Sequence, residues 1–251
     1  MIVTKNLESK FARIGARLKL GDLNSRTTSR RLASGIPFSL DIQSDRRGEF
    51  FEVIDRYGTL AEVEVLDVQP TDRHLLLMVR DGGEKYKFLC GHDERHWFVA
   101  AVPESAPVGT VHSAKEALKP QEVKTVQARL GLSSRSGNRR KNAAFRRQGE
   151  WFFVPALDLK VDPRLVLRDE PITRGNSGKP HWTDYCYRIG GQTVYVCRRY
   201  PNGVDVSTYQ RLLNEDQAAK NWGWQTMVRD ASVYVHGRIR HADHKTIVLH
   251  E

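Results

Sequence analysis

The stretch HLLLMVRDGGEKYKFLCGHDERHWFVAAV, residues 74–102, decides the fold class. It holds three apolar runs, His74–Arg80, Tyr86–Cys90 and His96–Val102, each of strand length and too short for a helix. Asp81-Gly82-Gly83 divides the first two, and Asp-Gly between apolar runs is a strong hairpin signal. The pattern extends upstream through Ile36–Ile42, Glu49–Ile54 and Ala61–Val68. Arg47-Gly48, Tyr57-Gly58 and Pro70-Thr71-Asp72 supply the turns between these runs. Glu62 and Glu64 alternate with Val63 and Val65, as a half-exposed strand requires. These signals predict an α+β chain with a mainly antiparallel β-sheet, of about five or six strands, in its N-terminal part. A sandwich or an open barrel fits that spacing, with helices and a smaller C-terminal α+β part to follow.

Helical patterns flank the strands. Leu7, Phe11, Ile14 and Leu18 recur at helical spacing, predicting a helix over Thr4–Leu20 with Gly21 as its stop. Gly15 inside it costs up to about 1 kcal/mol. Pro103–Thr110 reads as a connector. Ser113 and Glu116 form a capping box, Pro120 restarts the helix, and Val123, Val126 and Leu130 give its apolar face up to Gly131. The chain thus divides at the connector into residues 1–110 and 111–251, with the basic stretch 133–149 as a second candidate boundary and one continuous domain as the alternative. Further strands are expected at Trp151–Val154, Thr193–Arg199, Ser232–Arg240 and Lys245–Leu249. Ser207 or Thr208 caps a helix that turns Tyr209, Leu212 and Leu213 inwards, and Arg168–Asp184 reads as a long loop.

Charge narrows the partner. Forty Lys and Arg stand against 30 Asp and Glu, a net charge of +10 and a pI near 9.6. That balance favours nucleic acid, DNA or RNA, or another polyanion as partner. The densest acid-free segment runs from Ser133 to Gln148 and carries Arg135, Arg139, Arg140, Lys141, Arg146 and Arg147. A helix capped by Asn138 and stopped by Gly149 puts Arg139, Arg140 and Lys141 in a first turn, where the helix dipole disfavours cations. A phosphate there would relieve the repulsion and take up free N–H groups. The competing reading is a solvated basic loop. Arg26, Arg30 and Arg31 stand among hydroxyl residues, and Arg174 and Lys179 flank a Gly-rich loop. That loop is not a nucleotide-triphosphate loop: Thr173 stands where the leading Gly belongs, and Pro180 follows the Lys. The expected function is contact with a nucleic-acid backbone through these basic segments, with stacking from Tyr185, Tyr187, Trp222 and Trp224 if single strands are bound.

Two other readings compete. His92, Asp93 and His96 share one turn, and His241, Asp243 and His244 share another. Neither turn supplies a full ligand set, so a metal-dependent nuclease or phosphodiesterase needs residues from elsewhere to converge. A divalent metal is the one cofactor these residues suggest, and whether the chain is an enzyme is left open. A third reading is an adaptor within a larger complex, with a protein partner. No G-x-S-x-G, H-E-x-x-H or G-x-G-x-x-G pattern is present. The start MIVTKNLESK lacks the apolar segment of a secretory leader, and no run approaches the roughly 20 apolar residues that span a bilayer. With three cysteines, a cytoplasmic setting and no membrane partner are expected.

Overall fold

The computed structural model describes residues 2–21, 38–55, 62–81, 83–173 and 179–250. The chain folds as two compact units, Met1–Val154 and Pro155–Glu251. Residue 110, at the boundary read from the connector, lies inside the first unit as the N-cap of a helix.

The α+β class and the antiparallel sheets are as expected. Helix α1 (Ile2–Arg13) and strand β1 (Leu18–Leu20) open the first unit. A three-stranded sheet has the order β1-β3-β2, with β2 at Phe38–Asp45 and β3 at Gly48–Asp55. A four-stranded antiparallel meander follows in the order β4-β5-β6-β7, spanning Val63–Gln69, His74–Asp81, Glu84–Asp93 and His96–Val102. In β5, Leu75 to Val79 are all buried. The reason is that both faces of this strand are covered. Leu75, Leu77 and Val79 pack with Leu7, Phe11 and Ile14 on one side, together with Phe51 and Val53 of β3. Leu76 packs on the other side with Leu89, Val102, Val111 and Ala114. A strand buried on both faces loses the alternation of a half-exposed one and reads as one apolar run.

The N-terminal helix is shorter than its periodicity suggests. The Ala16 amide bonds back to the Phe11 carbonyl and the Gly15 amide to Ala12, with Gly15 at φ 79°. This pattern closes a helix through a left-handed residue. Gly15 is thus the stop, and Leu18 lies on β1, parallel to β3. Helix α2 (Val111–Ala117) is capped by Thr110 and Ser113, which bond to each other's backbone amides, so the box starts three residues before Ser113. Helix α3 (Gln121–Arg129) has Pro120 as N-cap, and Gly131 at φ 59° follows its end.

The expected helix over 138–149 is absent. A one-turn helix α4 (Ser134–Gly137) ends at Asn138, and the chain then forms a hairpin of β8 (Arg146–Gln148) and β9 (Trp151–Phe153). Asn142 accounts for the difference. Its Oδ1 accepts the amides of Ala144 and Phe145 at 2.8 and 3.1 Å, and its Nδ2 donates to the Arg139 carbonyl at 3.0 Å. Such local bonds compete with the helical ladder. Ala144 and Phe145 are held buried against Val123 of α3.

The second unit contains the sheet β10-β11-β15-β16, at Leu167–Ile172, His181–Ile189, Ser232–Arg240 and Ile247–Leu249. The segment 168–184, read as a loop, therefore holds most of one strand and the start of another. A second sheet, β13-β12-β14, spans Val204–Asp205, Gln192–Val196 and Gln225–Arg229. Helix α5 (Val206–Glu215) is capped by Asp205 rather than by Ser207 or Thr208.

His74 on β5 supplies a test of the first unit. Its ring lies over Gly91 of β6, where an added Cβ would collide with it. The ring donates to the Asp72 carbonyl at 2.5 Å. Burial, with Lys115 nearby, pulls its pKa from 6.5 down to about 4. The folded chain therefore binds this proton less tightly than the unfolded chain. Stability from this group is complete above pH 6.5 and declines as the pH falls from 6.5 towards 4. Urea midpoints measured across that range fall with acid, and His74→Gln makes the decline shallower.

Candidate functional site

The basic segment of the first unit is partly neutralised. Arg140 pairs with Asp93 and Glu94, and Arg147 reaches Asp93 at 3.3 Å while its Nε donates to the Gly149 carbonyl. Asp93 and Glu94 come from the β6–β7 turn. Asp93, a metal-ligand candidate in the sequence, thus holds two arginines instead. The other members of its turn have separate partners. His96 Nδ1 meets Glu49 at 2.6 Å, and His92 packs edge-on against Trp97, with ring centroids 4.8 Å apart. The structure does not gather His92, Asp93 and His96 around one point. Arg135, Arg139 and Lys141 are exposed, and Arg146 is half-buried on β8. Arg26, Arg30, Arg31 and Arg174 lie outside the described residues.

In the second unit, an open concavity of about 390 Å³ is lined by Arg168, Asp169, Asp184, Tyr185, Arg238 and Arg240. The antiparallel pairing of β11 with β15 builds it. Trp182 stands opposite Arg240 and Thr183 opposite Ile239, after which the register shifts before Tyr185. Gly237 takes φ 85° at this irregularity, and a Cβ there would lie 2.9 Å from the Asp184 Cβ. Irregularities of this kind re-aim side chains. Consecutive residues Asp184 and Tyr185 both line the concavity. The carboxylate of Asp184 accepts both the backbone amide and Nε of Arg238 at 2.9 Å, which holds its pKa below the usual carboxylate range. Arg240 pairs with Asp169, and the Arg168 guanidinium sits 5.8 Å from the Tyr185 ring centre. Trp182 and Tyr185 are each 40% exposed, so both rings are open to a ligand. Three guanidiniums against two carboxylates leave an excess of positive charge.

The other aromatic candidates differ. Tyr187 is buried beside Tyr234, with ring centroids 6.4 Å apart. Trp222 and Trp224 stack with Tyr200 at 6.0 and 5.7 Å, and Trp224 Nε1 donates to the Ala219 carbonyl. These tryptophans close an aromatic cluster over α5 and β12, which also contains Tyr195 stacked on Tyr209 at 3.8 Å.

Three imidazoles converge at one end of the same sheet. His181, His241 and His244 place one ring nitrogen each within 4.8 Å of the others. Their rings stack with centroids 4.3 to 5.8 Å apart. His241 and His244 come from the β15–β16 turn noted in the sequence. His181, the first residue of β11, comes from 60 positions upstream, and only the strand register reveals it. His181 is 5% exposed, and burial first, then His241 and His244, lowers its pKa to about 4. Asp243 does not join the cluster: its carboxylate pairs with Lys179 at 2.8 Å.

The chain matches no protein-family model, no curated protein and no solved structure. No helix among the described residues is long and apolar enough to cross a membrane.

The Asp93 knot gives a direct test. Asp93→Asn removes the carboxylate that Arg147 bonds and that pairs with Arg140, leaving Arg140 with Glu94 alone, and a charge-assisted hydrogen bond contributes about 1.5–3 kcal/mol. Chemical denaturation of this variant is expected to show a loss on the order of 1–3 kcal/mol. An unchanged midpoint would mean that the pairing adds nothing to the fold.

Proposed function

We propose that the chain binds single-stranded nucleic acid, with the concavity between β10, β11 and β15 as its principal contact surface. One observation carries this reading: Arg168, Arg238 and Arg240 share that surface with the exposed Tyr185, and the exposed Trp182 stands opposite Arg240 on the neighbouring strand. Single strands are held by combining cations along the backbone with aromatic faces for unstacked bases. Arginine suits both tasks, since its planar fork bonds phosphate oxygens and stacks on bases. The carboxylates of Asp184 and Asp169 orient their guanidiniums before a ligand arrives, and the surplus positive charge remains for phosphate. A duplex hides its base faces, so it meets only the cations of this surface. The exposed Arg135, Arg139 and Lys141 of the first unit add non-specific attraction for the same polyanion.

The reading predicts three results in a fluorescence-anisotropy titration. Single-stranded oligonucleotides bind more tightly than duplex at equal salt. The affinity falls with salt at a slope of about −0.7 in log–log form for each phosphate neutralised, from roughly −0.7 for the one surplus charge to roughly −2 where phosphate displaces both carboxylates. Trp182→Ala and Tyr185→Ala each weaken binding by about 1–3 kcal/mol while leaving the salt slope nearly unchanged. Equal affinity for duplex and single strand, indifferent to both substitutions, would place the contact elsewhere. Absence of binding at low salt would remove the proposal.

A further inference from the structure

We infer that His181, His241 and His244 form a binding site for a transition-metal cation of the zinc class, separate from the arginine-lined concavity. The donor set is the first argument. Three imidazoles with no coordinating carboxylate suit zinc and its neighbours and do not suit magnesium or calcium, which prefer oxygen. Three protein ligands also leave a fourth tetrahedral position for water.

Ring packing is the second argument. The three rings stack on one another, with centroids 4.3 to 5.8 Å apart, and this packing keeps one nitrogen of each within 4.8 Å of the others.

Geometry is the third. His241 Nε2 lies 3.2 Å from the Lys179 carbonyl, so its Nε2–H donates outward and leaves Nδ1 as the acceptor. Metal-ligating histidines are commonly fixed by this kind of outer bond to a carbonyl. Nδ1 now accepts the Asp243 amide at 3.0 Å, and a metal at Nδ1 replaces that bond. Tetrahedral coordination at about 2.05 Å needs donor atoms about 3.3 Å apart. The present limit of 4.8 Å is within reach of small ring rotations. His241 and His244 are half-buried, which leaves an entry path past the turn that carries them. His181 is buried while the next residue, Trp182, is exposed, so the two point to opposite sides of the strand. The metal site and the proposed nucleic-acid surface can therefore fail independently.

The test is titration of chelator-treated full chain with Co2+, read by its visible d–d absorption, followed by displacement with Zn2+. The expected result is an intense tetrahedral spectrum that saturates at about one ion per chain, as a single three-ligand site requires. His244→Gln, on a half-exposed turn, weakens Zn2+ binding by more than the about 10–100-fold typical of an outer-shell loss. His181→Ala does the same, and His250→Ala leaves binding unchanged. The unmodified chain gives the Co2+ spectrum without any variant having to fold. A featureless spectrum through millimolar Co2+, or Zn2+ affinity unaltered by His244→Gln, would overturn the inference.

Discussion

The pairing of β11 with β15 is the constraint on which both candidate sites depend. Its register sets Trp182 opposite Arg240 and Thr183 opposite Ile239, then shifts at Gly237. The regular part sends Trp182 outwards and buries His181 and Thr183. The irregular part brings Asp184 and Tyr185 to one concavity and fixes Arg238 through two bonds to one carboxylate oxygen. A single strand pair thereby assembles an arginine and aromatic surface, and a histidine cluster where β15 ends. A register slip by one residue would exchange the faces and dissolve both arrangements.

In the first unit, charge serves structure more than display. The sequence suggests an exposed run of cations between Arg135 and Arg147. The folded chain ties Arg140 and Arg147 to Asp93 and Glu94, acids contributed from some 50 residues away. These pairs tie strand β8 and the chain just before it to the end of β6 and the turn after it. The guanidiniums left exposed are therefore fewer than composition implies. This shifts the weight of the functional reading to the second unit, where arginines and open rings share a surface.

The fold of the first unit was largely legible because its strands carry their own signals. Leu75–Val79, the Asp81-Gly82 turn and the Glu62 to Val65 alternation each report local backbone preference and burial together. Gly15 was misleading, since a glycine within a helical stripe reads as a cost until the chain is seen to turn there. The 138–149 helix failed because Asn142 offers the backbone better local bonds, and because Phe145 is wanted in the core beside Val123. Strands β10 and β11 were obscured by Pro171 and by the Gly-rich segment between them. Of the sites, Tyr185 and the pair His241 and His244 could be named from sequence. His181 could not, because its partners are set by cross-strand register, and a lone histidine beside tryptophan carries no local signature.

Single strands are proposed to dock on the β11 surface of residues 155–251. Ultraviolet crosslinking of the full chain to a photoreactive single-stranded oligonucleotide, with the adducts mapped by mass spectrometry, addresses this docking most directly. Adducts are expected on the peptide spanning His181–Ile189, at Trp182 or Tyr185. Adducts confined to residues 133–149, with β11 unmodified, would contradict it.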